Sequence, residues 1–390
     1  MHSGLELADV IRRFGMQYIE RHRPSGEKMK VLFNIMQCRT SALGGHEERC
    51  DRCPEVRYSY NSCGNRHCPK CLSVKQAIWV EKLIAQTLPI NHHHIVFTVP
   101  HELNAICLFD RKLYYNILFA AVRNTLHSFG YTHYGVETGA ICILHSWGQN
   151  LSLHPHIHCL VPAAGYSLKG SWKQIGTQQK YLYPIFQLSD TFKGKFMHSM
   201  KRALKKQDLL IGFNTAMQAA YKKSWVVHSE PSMASAEHVI KYLGQYTHRV
   251  AISNNRILEM TGTHVTFIAK DYRDKAKKKP ISLPGVEFLH RFCQHILPKR
   301  FVKIRRYGIY NHTTKRNLKL QFVPKESIVE KIIVGKIEKE TAIESIKRLI
   351  GFDILKCPKC KNGRMHIVRE LPRIRSPGRP LKELLHRFLQ

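Results

Sequence analysis

Twelve cysteines fall unevenly along this 390-residue chain, and their spacing constrains its N-terminal part more than any other feature. From Cys38 to Cys71 the segment reads CRTSALGGHEERCDRCPEVRYSYNSCGNRHCPKC. Within it, Cys50-x2-Cys53 is followed after fourteen residues by Cys68-x2-Cys71. A Cys-x2-Cys turn lets two thiolates converge on one ion, and two such turns make a four-cysteine zinc site. The spacing predicts that Cys50, Cys53, Cys68 and Cys71 share a zinc, with a short strand pair around Val56–Tyr60 between the knuckles. Cys38, His46, Cys63 and His67 interleave with these positions as a candidate second zinc site. There, neighbouring His67 and Cys68 would have to serve different ions, which is geometrically tight. So small a segment has little core, and metal would contribute much of its folding energy. Arg39, Arg49, Arg52, Arg57, Arg66 and Lys70 make it basic, which suits contact with DNA.

The basic character extends over the whole chain. Sixty-two Lys and Arg against 28 Asp and Glu leave a net charge of +34. Such an excess implies a polyanionic partner, with nucleic acid as the default. A membrane surface is the competing polyanion, but no run of 18 or more apolar residues is present. The charged, amphipathic N-terminus does not read as a secretory signal. A cytoplasmic location is expected, with cysteines that are reduced or metal-bound. A hydrophobic content of 43% excludes a largely disordered chain, and 390 residues suffice for two or three domains.

The segment Trp147–Ala163, WGQNLSLHPHIHCLVPA, carries the second strong pattern. His154, His156 and His158 alternate with Pro155 and Ile157, the period of a β-strand. His156 and His158 then stand on one face, roughly 6–7 Å apart along the strand. Two fixed imidazoles are two corners of a divalent-metal site. The strand expected over Glu137–Trp147 is near enough in sequence to pair antiparallel with this one. Gln149, near the turn between them, is a candidate third ligand. His92, His93 and His94 are consecutive, so they alternate faces on the strand expected over His92–Val99 and read as structural.

Amphipathic helices are expected over 5–22, 74–88, 110–128, 188–226 and 286–297, and around 324–350. Short antiparallel strands are expected over Arg249–Ser253, Arg256–Met260 and His264–Lys270, and a basic strand over Lys299–Tyr310. The run Lys275–Lys279 reads as a solvated loop suited to phosphates. In PSMASAEHVIKYLGQYTHRVAISN, Tyr242 and Tyr246 lie at i and i+4 and so neighbour each other on a helix face. Arg249 follows at i+3, where a cation could stabilise a phenolate or steer a phosphate. Near the C-terminus, Cys357-x2-Cys360 is half of a possible third zinc site, which His366, His290 or His295 could complete. No G-x4-G-K-[ST] loop occurs, so the chain carries no recognisable helicase motor.

These elements together carry a resemblance. Leu153-His-Pro-His-Ile-His-Cys-Leu-Val-Pro162 resembles the HUH metal motif of rolling-circle nucleases, and Tyr242-Leu-Gly-Gln-Tyr246 resembles the two-tyrosine motif of IS-ninety-one-type transposases. The CRT…LGGH…C-x2-C…SCGNRHCPKC stretch is similar to that family's zinc-binding domain. The three motifs occur in the family's order across roughly residues 30–310. An α+β fold follows from the mixture of short strands and amphipathic helices. The resemblance adds an HUH-nuclease antiparallel sheet with the histidine pair on a central strand. The implied division is 1–75 for N-terminal helices and zinc module, 76–275 for the nuclease domain, and 276–390 for a basic C-terminal DNA-binding region.

The resemblance implies a bacterial, nucleoid-associated transposase that cleaves and rejoins single-stranded DNA at insertion-sequence ends. Tyr242 or Tyr246 would be the nucleophile, Arg249 its cation, and His156 and His158 the ligands of Mg2+ or Mn2+. Gln149 is the first choice of third ligand, with Glu237 or His238 as alternatives. Zn2+ would be structural. Terminal sequences or hairpins would be the partners, and strand separation would fall to a host helicase, replication or supercoiling. Two other readings compete. A plasmid relaxase or replication initiator would use the same chemistry at an origin, and a non-enzymatic zinc-dependent regulator would leave the histidine and tyrosine pairs idle.

Overall fold

The computed structural model describes residues 4–71, 73–88, 90–176, 181–230, 251–271, 274, 276–317 and 340–373. Its principal sheet has five antiparallel strands in the order Ile304–Gly308, Gly139–Trp147, Leu153–Pro162, His92–Thr98, Val226–Ser229. The histidine-bearing strand is therefore central, as the resemblance implied. Its odd-numbered side chains Ile157, Cys159 and Val161 enter a large core with Phe97, Cys142 and Leu144. Helices Arg111–Phe129 and Ile185–Lys206 pack on that face, contributing the fully buried Tyr114, Phe119, Phe192 and Phe196. Each such side chain contributes about 1.5–3 kcal/mol on burial. Asp110 starts the first of these helices, its carboxylate accepting the Leu113 N–H at 2.9 Å.

The even-numbered face divides in two. Leu160 packs with Ile141, Ile143, Tyr310 and Leu83, the last from helix Ser73–Gln86. That helix covers one end of the face and leaves the end bearing His156 and His158 to form the floor of a cavity.

A second core joins helices Leu7–His22 and Gly26–Gln37 to helix Gly285–Gln294 and a three-stranded ribbon, Ile257–Met260, His264–Asp271 and Lys277–Pro284. Gly285 is required by this packing, since a Cβ there would lie 2.3 Å from the Phe14 ring. Lys277, Lys278 and Lys279, expected in a loop, belong to a ribbon strand whose partner is His264–Asp271. The expected strand Arg249–Ser253 is absent over residues 251–253, and Arg249 and Val250 lie outside the described residues. The region 188–226 is two helices, Ile185–Lys206 and Leu210–Lys222, rather than one.

The N-terminal cysteines lie about a hairpin, Gly45–Cys50 with Val56–Tyr60, whose other edge is filled by the distant strand Met365–Leu371. Residues beyond 275 thus return to both sheets, Ile304–Gly308 to the principal one and Met365–Leu371 to the N-terminal one. The α+β class with antiparallel sheets flanked by helices holds.

Candidate active site and metal centres

The hairpin register sets the first site. Gly139–Trp147 pairs with Leu153–Pro162 so that His145 faces His156 directly and Ile143 faces His158. Directly opposed side chains on one face lie within about 5.5 Å at Cβ. The ligand-capable nitrogens of His145, His156 and His158 consequently converge to within 4.8 Å of one another. Burial holds His145 and His158 well below the ordinary histidine range, and brings His156 down to about 4. All three are therefore neutral at neutral pH, the form that ligates a metal. Three converging neutral imidazoles fit a divalent ion of borderline softness such as Zn2+ or Co2+, and admit the harder Mn2+ or Mg2+ when oxygen ligands complete the shell.

Each ring of the pair is anchored from behind. The His156 Nδ1–H donates to the His154 carbonyl at 2.7 Å, and His158 Nδ1 meets His94 Nε2 at 2.9 Å. The floor opens into a cavity of about 810 Å3, walled by Gln149 from the turn and by Lys270 and Lys279 from the ribbon. Lys279 is paired with Asp271 and Asp274 at 3.1 Å. The cavity walls thus include basic groups.

His156 and His158 are brought together with His145, and Gln149 lines the same cavity. Gln149 sits in the tight turn Gly148–Ser152, closed by the Gly148 N–H donating to the Ser152 carbonyl at 2.9 Å. His145 was visible in the sequence as a histidine whose position mirrors His156 about the turn. His94 was missed because the run His92–His94 alternates faces; His92 and His93 are buried and apart from the cluster. Tyr242, Tyr246, Arg249, Glu237 and His238 lie outside the described residues.

Eight of the twelve cysteines form two clusters, neither grouped as the spacing suggested. Cys38, Cys63, Cys68 and Cys71 make one, and Cys50, Cys53, Cys357 and Cys360 the other. In the first, Cys71 Sγ lies 3.2 Å from Cys38 Sγ and 3.5 Å from Cys63 Sγ. In the second, Cys50–Cys360 is 3.7 Å and Cys53–Cys357 is 3.6 Å. Zn–S bonds near 2.3 Å imply tetrahedral S–S edges of about 3.8 Å, close to these separations. In the second cluster the Arg52 N–H donates to Cys50 Sγ at 3.4 Å and the Gly363 N–H to Cys360 Sγ at 3.2 Å, as thiolates require. A Cβ on Gly363 would fall 2.3 Å from Cys50 Sγ.

Cys50 and Cys53 are separated from Cys68 and Cys71 by the hairpin itself. Five or six extended residues span roughly 15–20 Å, so one pair sits at the tip and the other at the base. His46 pairs within the sheet and His67 lies in the turn before Cys68; neither belongs to a cluster. The Cys357–Cys360 half-site is completed by Cys50 and Cys53 rather than a histidine. His366 faces Asp51, His290 stacks on His22 at 4.1 Å, and His295 bonds the Leu151 carbonyl at 3.0 Å.

No helix among the described residues is long and apolar enough to cross a membrane. Residues 139–317 match a family model described as "Putative transposase", and residues 10–99 match the "Transposase zinc-binding domain" model. The chain is 35% identical to the "Putative transposase y4qJ" of Sinorhizobium fredii, over 97% of this chain and 98% of that protein. It is 26% identical to the transposase for insertion sequence element IS801 of Pseudomonas savastanoi pv. phaseolicola, over 72% of this chain and 70% of the relative. No solved structure matches. The thiolate clusters and the zinc-domain match together support structural Zn2+. By sequence from end to end, the chain belongs to the IS91 family of transposases that carry an N-terminal zinc-binding domain.

Proposed function

We propose that this transposase cleaves and rejoins single-stranded DNA at insertion-sequence ends through a 5′-phosphotyrosine, in the rolling-circle manner. The observation that carries the reading is the convergence of His145, His156 and His158 on the floor of a cavity flanked by lysines. These three histidines would hold a divalent ion such as Mg2+ or Mn2+, which supplies Lewis-acid polarisation of the scissile phosphate. The Tyr242 or Tyr246 hydroxyl attacks phosphorus, forming the P–O(Tyr) bond as the P–O3′ bond breaks. The phenolic proton leaves and the departing 3′ oxygen becomes a hydroxyl. Tyrosine ordinarily titrates near 10, so a neighbouring cation, for which Arg249 is the candidate, favours the phenolate. Reversal by a 3′-hydroxyl rejoins the strand, and the phosphotyrosyl bond conserves the energy needed. The second tyrosine can hold a second strand meanwhile. The N-terminal module and the basic C-terminal region recognise the DNA ends by backbone charge with a few base contacts.

The test uses labelled single-stranded terminal oligonucleotides with Mn2+. Wild-type protein is expected to give a denaturation-resistant protein–DNA adduct that Tyr242→Phe/Tyr246→Phe and His156→Ala/His158→Ala do not form. An adduct that persists in the double tyrosine variant would sink the reading. Equal adduct formation on unrelated plasmid-origin strands would redirect it to an initiator.

A further inference from the structure

We propose that Glu230 and His94 form a positioning relay that fixes the His158 ring with its Nδ1 protonated, leaving Nε2 as the metal donor. Two contacts in series make the relay. Glu230 Oε2 lies 3.0 Å from His94 Nδ1, and His94 Nε2 lies 2.9 Å from His158 Nδ1. The Glu230 N–H also donates to the His94 carbonyl at 3.0 Å, so the two residues are tied through main chain and side chain. The two imidazoles lie nearly parallel, 8° apart with centroids at 5.1 Å. His94 is only 2% exposed, so its orientation is set by these partners rather than by water.

The polarity of the chain follows from what each group can do. A carboxylate offers only acceptor atoms, and Glu230 Oε2 stands as an ion-pair partner against the Nδ1 edge of His94, which favours the proton on Nδ1. The bond from His94 holds the Glu230 carboxyl below its usual range, consistent with an ionised acceptor. His94 Nε2 meets His158 Nδ1 at 2.9 Å, so with Nδ1 engaged by His94 only Nε2 of the His158 ring is left to face a metal. The metal-facing nitrogen of His158 is thereby Nε2, matching His156, whose Nδ1–H is taken by the His154 carbonyl. The two histidines of the motif are held in one tautomer by different means, one by main chain and one by a buried side chain backed by a carboxylate. Outer partners of this kind orient ligands and raise their basicity.

The relay rests on the metal-site reading above, and the experiment separates the two. Nitrogen-15 imidazole NMR on metal-free protein reads the tautomer of His158 directly. Wild type is expected to show the Nδ1–H form, and His94→Phe to lose it. Calorimetry with Mn2+ alone is expected to show about 10- to 100-fold weaker binding for His94→Phe. His94→Gln, whose amide oxygen can accept from His158, recovers part of that loss, and Glu230→Gln falls between wild type and His94→Phe. If wild type binds no Mn2+, the metal reading fails, while the tautomer shift still decides the relay. An unchanged His158 tautomer in His94→Phe, or equal Mn2+ affinity in all four proteins, overturns it. Should His94→Phe not fold, the His94→Gln and Glu230→Gln spectra and affinities decide alone, and wild-type behaviour in both would overturn the relay.

Discussion

The two cysteine clusters each bring four sulfurs together, in two very different ways. One gathers Cys38, Cys63, Cys68 and Cys71 from a stretch whose ends are 33 residues apart. The other closes between Cys50 and Cys360, 310 residues apart. In the chain-entropy account, a cross-link over the shorter span restricts the unfolded chain by about 4 kcal/mol, and over the longer by about 5–6 kcal/mol. The local cluster can therefore organise its segment early. The distant one adds more restraint but forms only after the intervening chain has folded. One builds a module; the other ties the chain's two ends.

That contrast can be broken most sharply at Cys68. It is 1% exposed and sits in the core shared with helices Leu7–His22 and Gly26–Gln37. Cys68→Ser is expected to remove one of two zinc ions by elemental analysis and to destabilise this core by upwards of about 5 kcal/mol in urea unfolding. Retention of both ions would contradict the local grouping. Cys357→Ser is expected to remove the other ion while the rest of the fold persists. Limited proteolysis should then release the segment around Met365–Leu371, and loss of the first ion instead would reverse the assignment. Gly363→Ala is milder. Its methyl crowds Cys50, so zinc should leave the distant cluster faster under chelator competition, with a cost of about 1–3 kcal/mol and no change at the local one.

The smallest effect is expected at Arg348, which pairs with Glu81 and Glu340 and also ties the C-terminal part to helix Ser73–Gln86. It is 40% exposed, and exposed ion pairs contribute about 0–1 kcal/mol. Arg348→Ala should leave the protease pattern intact. If it releases the tail as Cys357→Ser does, the ion pair and not the metal is the tie.

What could be read from the amino acids follows the same local-versus-distant division. The His156/His158 pair was legible because strand parity is a property of neighbouring residues. The third histidine needed a register, which the short turn at 148–152 supplies only once pairing is assumed. Cysteine types and Cys-x2-Cys turns were legible too, but spacing does not say which turns meet. Cys50-x2-Cys53 faces Cys357-x2-Cys360 because a strand from the far end of the chain pairs beside it, and nothing near Cys50 encodes that. His94 was passed over since its importance comes from Glu230, on another strand's end. The lysines at 277–279 read as a loop because the ribbon strand is exposed on both faces over them and shows no apolar alternation there.

The added strand Met365–Leu371 has a consequence for the timing of synthesis. Among the described residues the principal sheet has all five of its strands once Gly308 has been made, yet the N-terminal sheet lacks its third strand until Leu371 emerges. At 5–20 residues per second, the interval from Cys71 to Leu371 is about 15–60 seconds. Throughout it, Gly45–Cys50 presents an open hydrogen-bonding edge, and Cys50 and Cys53 await two of their four thiolate neighbours. The beginning of the protein is thus among the last parts to be finished, and a nascent chain interrupted before Cys357 carries a half-built clasp at its leading end.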